Sequence, residues 1–226
     1  DESAAATDDG GMESPMLAEM VANGTIPPLS ERLPENPMVL DWGEPGQYGG
    51  TFRVMVRDPS EGDVDSGAPL GANALGKRTP SGGLVPNIAE SWELADDFTW
   101  IEIHLRKGIR WSDGVPLTTE DVRFWWEDVI LNKDLTPAIP AHYSVSGDAN
   151  GLKIIDEYSF RIEFAHPFPL VLDKLASGGT FSYFGMPKHY LEKYHAAYND
   201  KANDLAKGEG YGSWAELFLI KSDSSQ

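Results

Sequence analysis

Hydrophobic and polar positions change period several times along the chain, and the changes mark its elements. Ser14, Pro15 and Asn23-Gly24 supply a cap, a first-turn residue and a stop for a short helix. Ile26-Pro27-Pro28 through Pro37 predicts extended coil, because proline lacks an amide donor and holds its own φ. Thr51 to Val56 is β-rich and bounded by Gly50 and Asp58-Pro59, which predicts a strand. Residues 57 to 83 are polar and rich in Gly, Pro and Ala, the pattern of one long loop.

The clearest signals lie between residues 84 and 166. From Thr99 to Leu105 polarity alternates, with Ile101, Ile103 and Leu105 on one face of a strand. Turns are expected at Lys107-Gly108 and Ser112-Asp113-Gly114. Thr118-Thr119-Glu120-Asp121 has the hydroxyl and acids of a helix start, after which Val122, Trp125, Trp126 and Val129 recur at helical spacing. Lys153 to Phe164 predicts a hairpin turning at Asp156-Glu157, with Phe160, Ile162 and Phe164 on its inner face. Further on, a short amphipathic run spans 170 to 176. A helix is expected from Pro187 carrying Tyr190, Leu191, Tyr194 and Tyr198, and Ser213 caps a last one bearing Trp214, Leu217 and Phe218. Without regular βαβ alternation or internal repeats, the class is α+β, a mixed α/β body.

Composition then narrows the function. At 226 residues and 41% hydrophobic, the chain can form a real core. A net charge of −18 repels phosphate backbones and argues against nucleic-acid partners. There is no cysteine, so disulfides, thiolate metal sites and cysteine nucleophiles are excluded. No apolar run is long enough to span a membrane, and the opening DESAAATDDGG has neither the basic nor the apolar region of a signal peptide, so an exported form would be a mature one. Asp1 to Gly11 has the composition of a disordered tether.

His104, His142, His166, His189 and His195 form no His-Glu-x-x-His. His189 and Glu192 share a helix face, while His195 turns to another. Among 36 acids, adjacent carboxylates are expected by chance, and Glu120-Asp121 is explained by the helix dipole. There is no Gly-x-Ser-x-Gly, no phosphate-binding Gly-x-x-x-x-Gly-Lys and no dinucleotide fingerprint. No catalytic residue, metal ligand or cofactor is implied.

The run Leu84-Val85-Pro86-Asn87-Ile88-Ala89-Glu90-Ser91-Trp92-Glu93, continued by Leu105-Arg106-Lys107-Gly108-Ile109-Arg110-Trp111-Ser112-Asp113-Gly114-Val115-Pro116-Leu117-Thr118-Thr119-Glu120-Asp121-Val122, resembles the signature of extracellular solute-binding proteins of family 5. These are the oligopeptide- and dipeptide-type components of ABC importers. Tyr48-Gly49-Gly50-Thr51-Phe52-Arg53, Ile155-Asp156-Glu157-Tyr158 and Pro187-Lys188-His189-Tyr190-Leu191 extend the likeness over roughly residues 38 to 220. Turn and cap chemistry already explains the signature pieces, so Trp92, Trp111, Asp113-Gly114 and Thr119-Glu120-Asp121 are expected to be framework and core.

The resemblance implies a two-lobed clamp that closes over a solute, of the periplasmic-binding-protein-like type II (cluster C) kind. Residues 1–37 would be an acidic tether, short helix and Pro-rich coil. Residues 38–57 with 175–226 would be first-lobe segments, and 58–174 an inserted small α+β domain. The second lobe is expected beyond residue 226 and is missing from this sequence. The segment 58 to 83 lacks the Tyr-Glu-x-Leu-like stretch that precedes the Val-Pro-Asn motif in the family, which puts that part of the cleft in doubt. By the same resemblance Arg53, Arg57 and Asp58 lie near the cleft. Phe181, Ser182, Tyr183 and Phe184 form an aromatic, polar-tipped patch suited to ligand contact, with core packing as the competing reading.

The implied function is capture of a peptide-like or related solute, a sugar or chelate included, in the periplasm or at the cell surface. Delivery would be to the transmembrane subunits of an ABC permease, with membrane association only through an N-terminal tether. A secreted hydrolase acting on carbohydrate or peptide, and a lobe retained only for protein contacts, remain alternatives.

Overall fold

The computed structural model describes residues 13–39, 48, 50–51, 75–79, 81–175 and 184–223. Its centre is a four-stranded antiparallel sheet. A two-stranded ribbon pairs β1 (Gly76–Arg78) with β2 (Leu84–Pro86), so the segment expected to be one long loop carries a strand at its end. The ribbon leads into β3 (Ala89–Leu94) and β4 (Trp100–Leu105). A second ribbon, β5 (Ser144–Val145) with β6 (Asp148–Ala149), precedes the hairpin β7 (Gly151–Ile154) and β8 (Ser159–Glu163). The main sheet runs β3-β4-β8-β7, all antiparallel.

Alternation decides which face is covered. Ile101, Ile103, Phe160 and Ile162 are buried, and the register sets Ile103 opposite Phe160 and Ile101 opposite Ile162. Each such side chain contributes about 1.5–3 kcal/mol by leaving water. The opposite face is polar. There Glu102 accepts from Arg161 at 2.8 Å, and Arg161 stacks 4.0 Å above the Trp100 ring.

The helices start and stop as their sequence dictates, with three exceptions. In α1 (Pro15–Ala22) the Ser14 hydroxyl accepts from Leu17 N, and Gly24 follows with φ +68°. The proline-rich stretch after it is not wholly extended, because Leu29–Arg32 closes a short helix, α2, whose first position follows Pro28. The helix begun by Thr118 is α only over Thr119–Arg123 (α3) and continues as a π-helix over Phe124–Ile130. Beyond α4 (Val171–Leu175), the helix expected from Pro187 is α only over Lys188–Leu191 (α5). It tightens to a 3₁₀ turn at Glu192–Tyr194 and ends at His195, whose backbone is extended, so Tyr198 is not on it. The chain then forms α6 (Ala202–Gly208) and α7 (Trp214–Ser222), where the Ser213 hydroxyl caps Glu216 N at 3.2 Å.

The α3–π segment joins three hydrophobic clusters. Val122 enters the sheet core beside Ile103, Leu105, Phe164 and Leu175. Phe124 and Val129 pack with Leu191, Tyr194, Trp214 and Phe218 of the C-terminal helices. Trp125, Trp126 and Ile130 gather around Tyr143. His195 is 1% exposed among Phe124, Tyr198, Trp214 and Phe218. Its Nδ1 accepts from Ala197 N and its Nε2 faces Asp128 O at 3.0 Å, which identifies the Nε2–H tautomer. This histidine is a core residue.

Candidate functional site

The first turn of α3 organises a polar concavity. Thr118 Oγ1 accepts from Glu120 N, and the Asp121 carboxylate returns to Thr118 N at 3.0 Å, which completes a capping box. Asp121 is only 5% exposed and does more than cap. Its Oδ2 also accepts from Trp111 Nε1 at 3.2 Å, and its Oδ1 from Lys188 N at 3.0 Å. Thr119 donates through N and Oγ1 to the carbonyls of Glu157 and Asp156 in the hairpin turn. Four pieces far apart in sequence therefore meet at one helix start: the 111–116 turn, α3, the 155–158 turn and α5.

Their meeting leaves an open groove of about 350 Å³, within the range of ligand sites. Thr118, Glu120, Asp121, Glu157, Lys188, His189 and Glu192 line it, with Val115 and Pro116 as its apolar part. Glu120, Lys188 and His189 on its rim are paired. The Arg123 guanidinium holds the Glu120 carboxyl down at about 2, helped by Lys188 Nζ at 3.2 Å. His189 Nε2 lies 2.7 Å from Asp113 Oδ2, and that hydrogen bond lowers the Asp113 carboxyl below its ordinary value. The groove can thus offer carboxylate acceptors to a polar ligand. Among the described residues no three acids or histidines converge as a metal site, and no helix is long and apolar enough to cross a membrane.

A second, smaller cavity of about 20 Å³ lies between the π-helix and the β7–β8 hairpin, walled by Trp125, Trp126, Tyr143, Asn150, Phe160 and Phe184 among others. Phe184, the one candidate ligand contact within the described residues, belongs here. It is 6% exposed and packs in the sheet core as well as lining this cavity. Arg53, Arg57, Asp58, Phe181, Ser182 and Tyr183, like the strand expected over residues 51–56 beyond Thr51, lie outside the described residues.

The signature residues are framework, as turn and cap chemistry leads one to expect. Trp92 and Trp111 are half-buried against the sheet core. Arg106, 7% exposed, donates to the carbonyls of Asn87 and Asn36, tying the N-terminal segment to the sheet. Gly108, at φ +85°, lets that segment pass so close that a Cβ would sit 3.0 Å from Glu35 N. The pairing of Asp113 with His189 escaped the sequence, since nothing local links residues 76 positions apart.

The family model for bacterial extracellular solute-binding proteins, family 5 Middle, matches residues 83–211, and the chain belongs to that family. It is 31% identical over 204 residues to the periplasmic alpha-galactoside-binding protein of Rhizobium meliloti (strain 1021), covering 80% of this chain and 29% of that one. Against the periplasmic oligopeptide-binding protein OppA of Escherichia coli (strain K12) it is 27% identical over 138 residues, 54% of this chain and 24% of that one. Among solved structures, an oligopeptide-binding protein OppA superposes with a TM-score of 0.77 at 36% identity, over 93% of this chain and 32% of that one. The periplasmic binding protein MelB of agrobacterium fabrum C58, in complex with stachyose, gives 0.55 at 26% identity, over 81% and 30%. The chain thus spans less than a third of these relatives' length, and its described part is a partial lobe of mixed helix and sheet.

Proposed function

We propose that this protein is the solute-binding component of an ABC-type importer, a binder and not an enzyme. It captures a peptide-like or sugar-like solute outside the membrane and hands it to the permease. The observation that carries this reading is the 0.77 TM-score at 36% identity to an oligopeptide-binding protein over nearly the whole chain. A sugar is the second solute class because relatives named for alpha-galactosides and bound to stachyose match over 80% and 81% of the chain.

In this reading residues 38–57 and 175–226 serve the first lobe and 58–174 the inserted domain. Arg53, Arg57, Asp58 and the stretch from Phe181 to Phe184 contact solute, and the protein works in the periplasm or at the cell surface. The test is a thermal-shift and calorimetric titration of the 226-residue chain, and of the longest reading frame containing it, with stachyose and with tri- to pentapeptides. Ligand at a hundred times its Kd stabilises by about 2.7 kcal/mol. Assay of the same mixtures for cleavage products separates a binder from a hydrolase. Silence from both solute classes in the longer protein would refute the reading.

A further inference from the structure

The small aromatic cavity contains a feature that packing alone does not explain. Asn150 is 94% buried (6% exposed), and its Oδ1 is the one buried side-chain nitrogen or oxygen among the described residues without a hydrogen-bond partner. Natural interiors seldom leave such an acceptor unmatched. Asn150 lines a cavity of about 20 Å³, slightly more than one water-sized group needs.

The other walls say what kind of group fits. Trp125 and Trp126, 5% and 6% exposed, are both turned inward by the π-helix, a rare geometry that recurs at functional sites. Their ring centroids are 5.6 Å apart, and Tyr143 stands edge-on to both at 5.1 and 6.1 Å. Leu152, Phe160, Ile162 and Phe184 add apolar walls. Among the described residues no ionisable carboxyl, amine or guanidinium lines it, so an ammonium or carboxylate placed there would meet no counter-charge from them. An uncharged donor meets no such penalty and satisfies the amide.

We propose that this cavity is a binding site for one uncharged hydroxyl, held by Asn150 Oδ1 against the Trp125–Trp126–Tyr143 walls. The hydroxyl belongs either to a resident water molecule or to the tip of a solute, and the chemistry of the site is the same for both. The inference stands apart from the importer reading, because it rests on the cavity alone.

The test uses the 226-residue chain labelled with 5-fluorotryptophan and ¹⁵N, with Trp125→Phe and Trp126→Phe to assign the two fluorine signals. A long-lived water contact at the Asn150 side-chain amide that persists in methanol and glycerol identifies resident water. Loss of that contact, with methanol or glycerol shifting the Trp125 and Trp126 signals, identifies a solute hydroxyl. Asn150→Leu abolishes whichever response the unsubstituted chain gives. If xenon shifts the fluorine signals while water, methanol and glycerol produce nothing, the cavity is dry and the proposal fails. It fails equally if Asn150→Leu keeps the response. Should that variant not fold, the measurements on the unsubstituted chain still decide.

Discussion

Asp121→Ala should be among the most damaging single substitutions in the chain. The carboxylate accepts three hydrogen bonds, from Thr118 N, Trp111 Nε1 and Lys188 N, and the residue is 95% buried (5% exposed). Each buried donor left without an acceptor costs about 1–3 kcal/mol. Trp111 and Lys188 are half-buried beside the groove, and water can reach their donors in part. The expected loss therefore sits low in the summed range, at about 3–4 kcal/mol. A domain of ordinary stability has only about 5–15 kcal/mol in all. In urea, with a slope near ~2 kcal/mol/M, the midpoint should fall by about 1.5–2 M. Trp111→Phe removes one donor and should cost about 1 kcal/mol. The double variant should lose less than the sum of the two, by about 0.5–1 kcal/mol, because the Trp111 bond is already gone once Asp121 is. A loss below about 1 kcal/mol for Asp121→Ala, or strict additivity with Trp111→Phe, would refute the idea that this carboxylate joins the four segments.

Other outcomes follow from the same contacts. Gly108→Ala should destabilise by about 1–2 kcal/mol, since φ +85° strains any side chain and its Cβ meets Glu35 N; limited proteolysis should then cut more readily near residues 33–36. His195→Ala should cost about 3–5 kcal/mol in urea unfolding, because it opens a space among four aromatic rings and strands Ala197 N and Asp128 O. Glu120 titrates near 2 when folded, below its ordinary 4.5, so its link to Arg123 and Lys188 is present above pH 4.5 and is lost as pH falls toward 2. As the pair is exposed, Glu120→Gln should remove only about 0.5 kcal/mol at pH 7 and nothing below pH 2. Burial and the hydrogen bond to Asp128 push Tyr198 up to about 12, so it should ionise late in an alkaline absorbance titration, and Tyr198→Phe should reduce the late absorbance change by one tyrosine.

Local chemistry was legible, and anything requiring distant residues to meet was not. The strands at 100–105 and 159–163 follow from strict alternation, because one buried face demands it. The caps at Ser14, Thr118 and Ser213 follow from hydroxyls placed before apolar runs. The π-helix could not be read, since Val122, Trp125, Trp126 and Val129 fit an α-helical stripe as well. Only three separate clusters pulling on consecutive residues explain the wider turn. The strand at 76–78 was hidden because its composition is that of a loop and its partner at 84–86 supplies the order. The groove stayed invisible for a related reason: Asp113, Glu120, Glu157 and His189 converge through bonds between distant segments, from Thr119 to the 155–158 turn, from Lys188 N to Asp121 and between Asp113 and His189.

That last point bears on what the recognisable run of this chain encodes. Of its polar side chains, Arg106, Asp113, Thr118, Thr119 and Asp121 all spend their hydrogen bonds on backbone or on neighbouring side chains. A side chain whose acceptors are filled by the framework has little left to discriminate one solute from another, since specificity needs polar groups that are satisfied by the right ligand and stranded by the wrong one. The run therefore identifies the family by specifying a junction. Under the proposed reading, solute choice would rest on groups the framework leaves unfilled. Asn150 Oδ1, outside the run altogether, is such a group, buried and waiting for a donor.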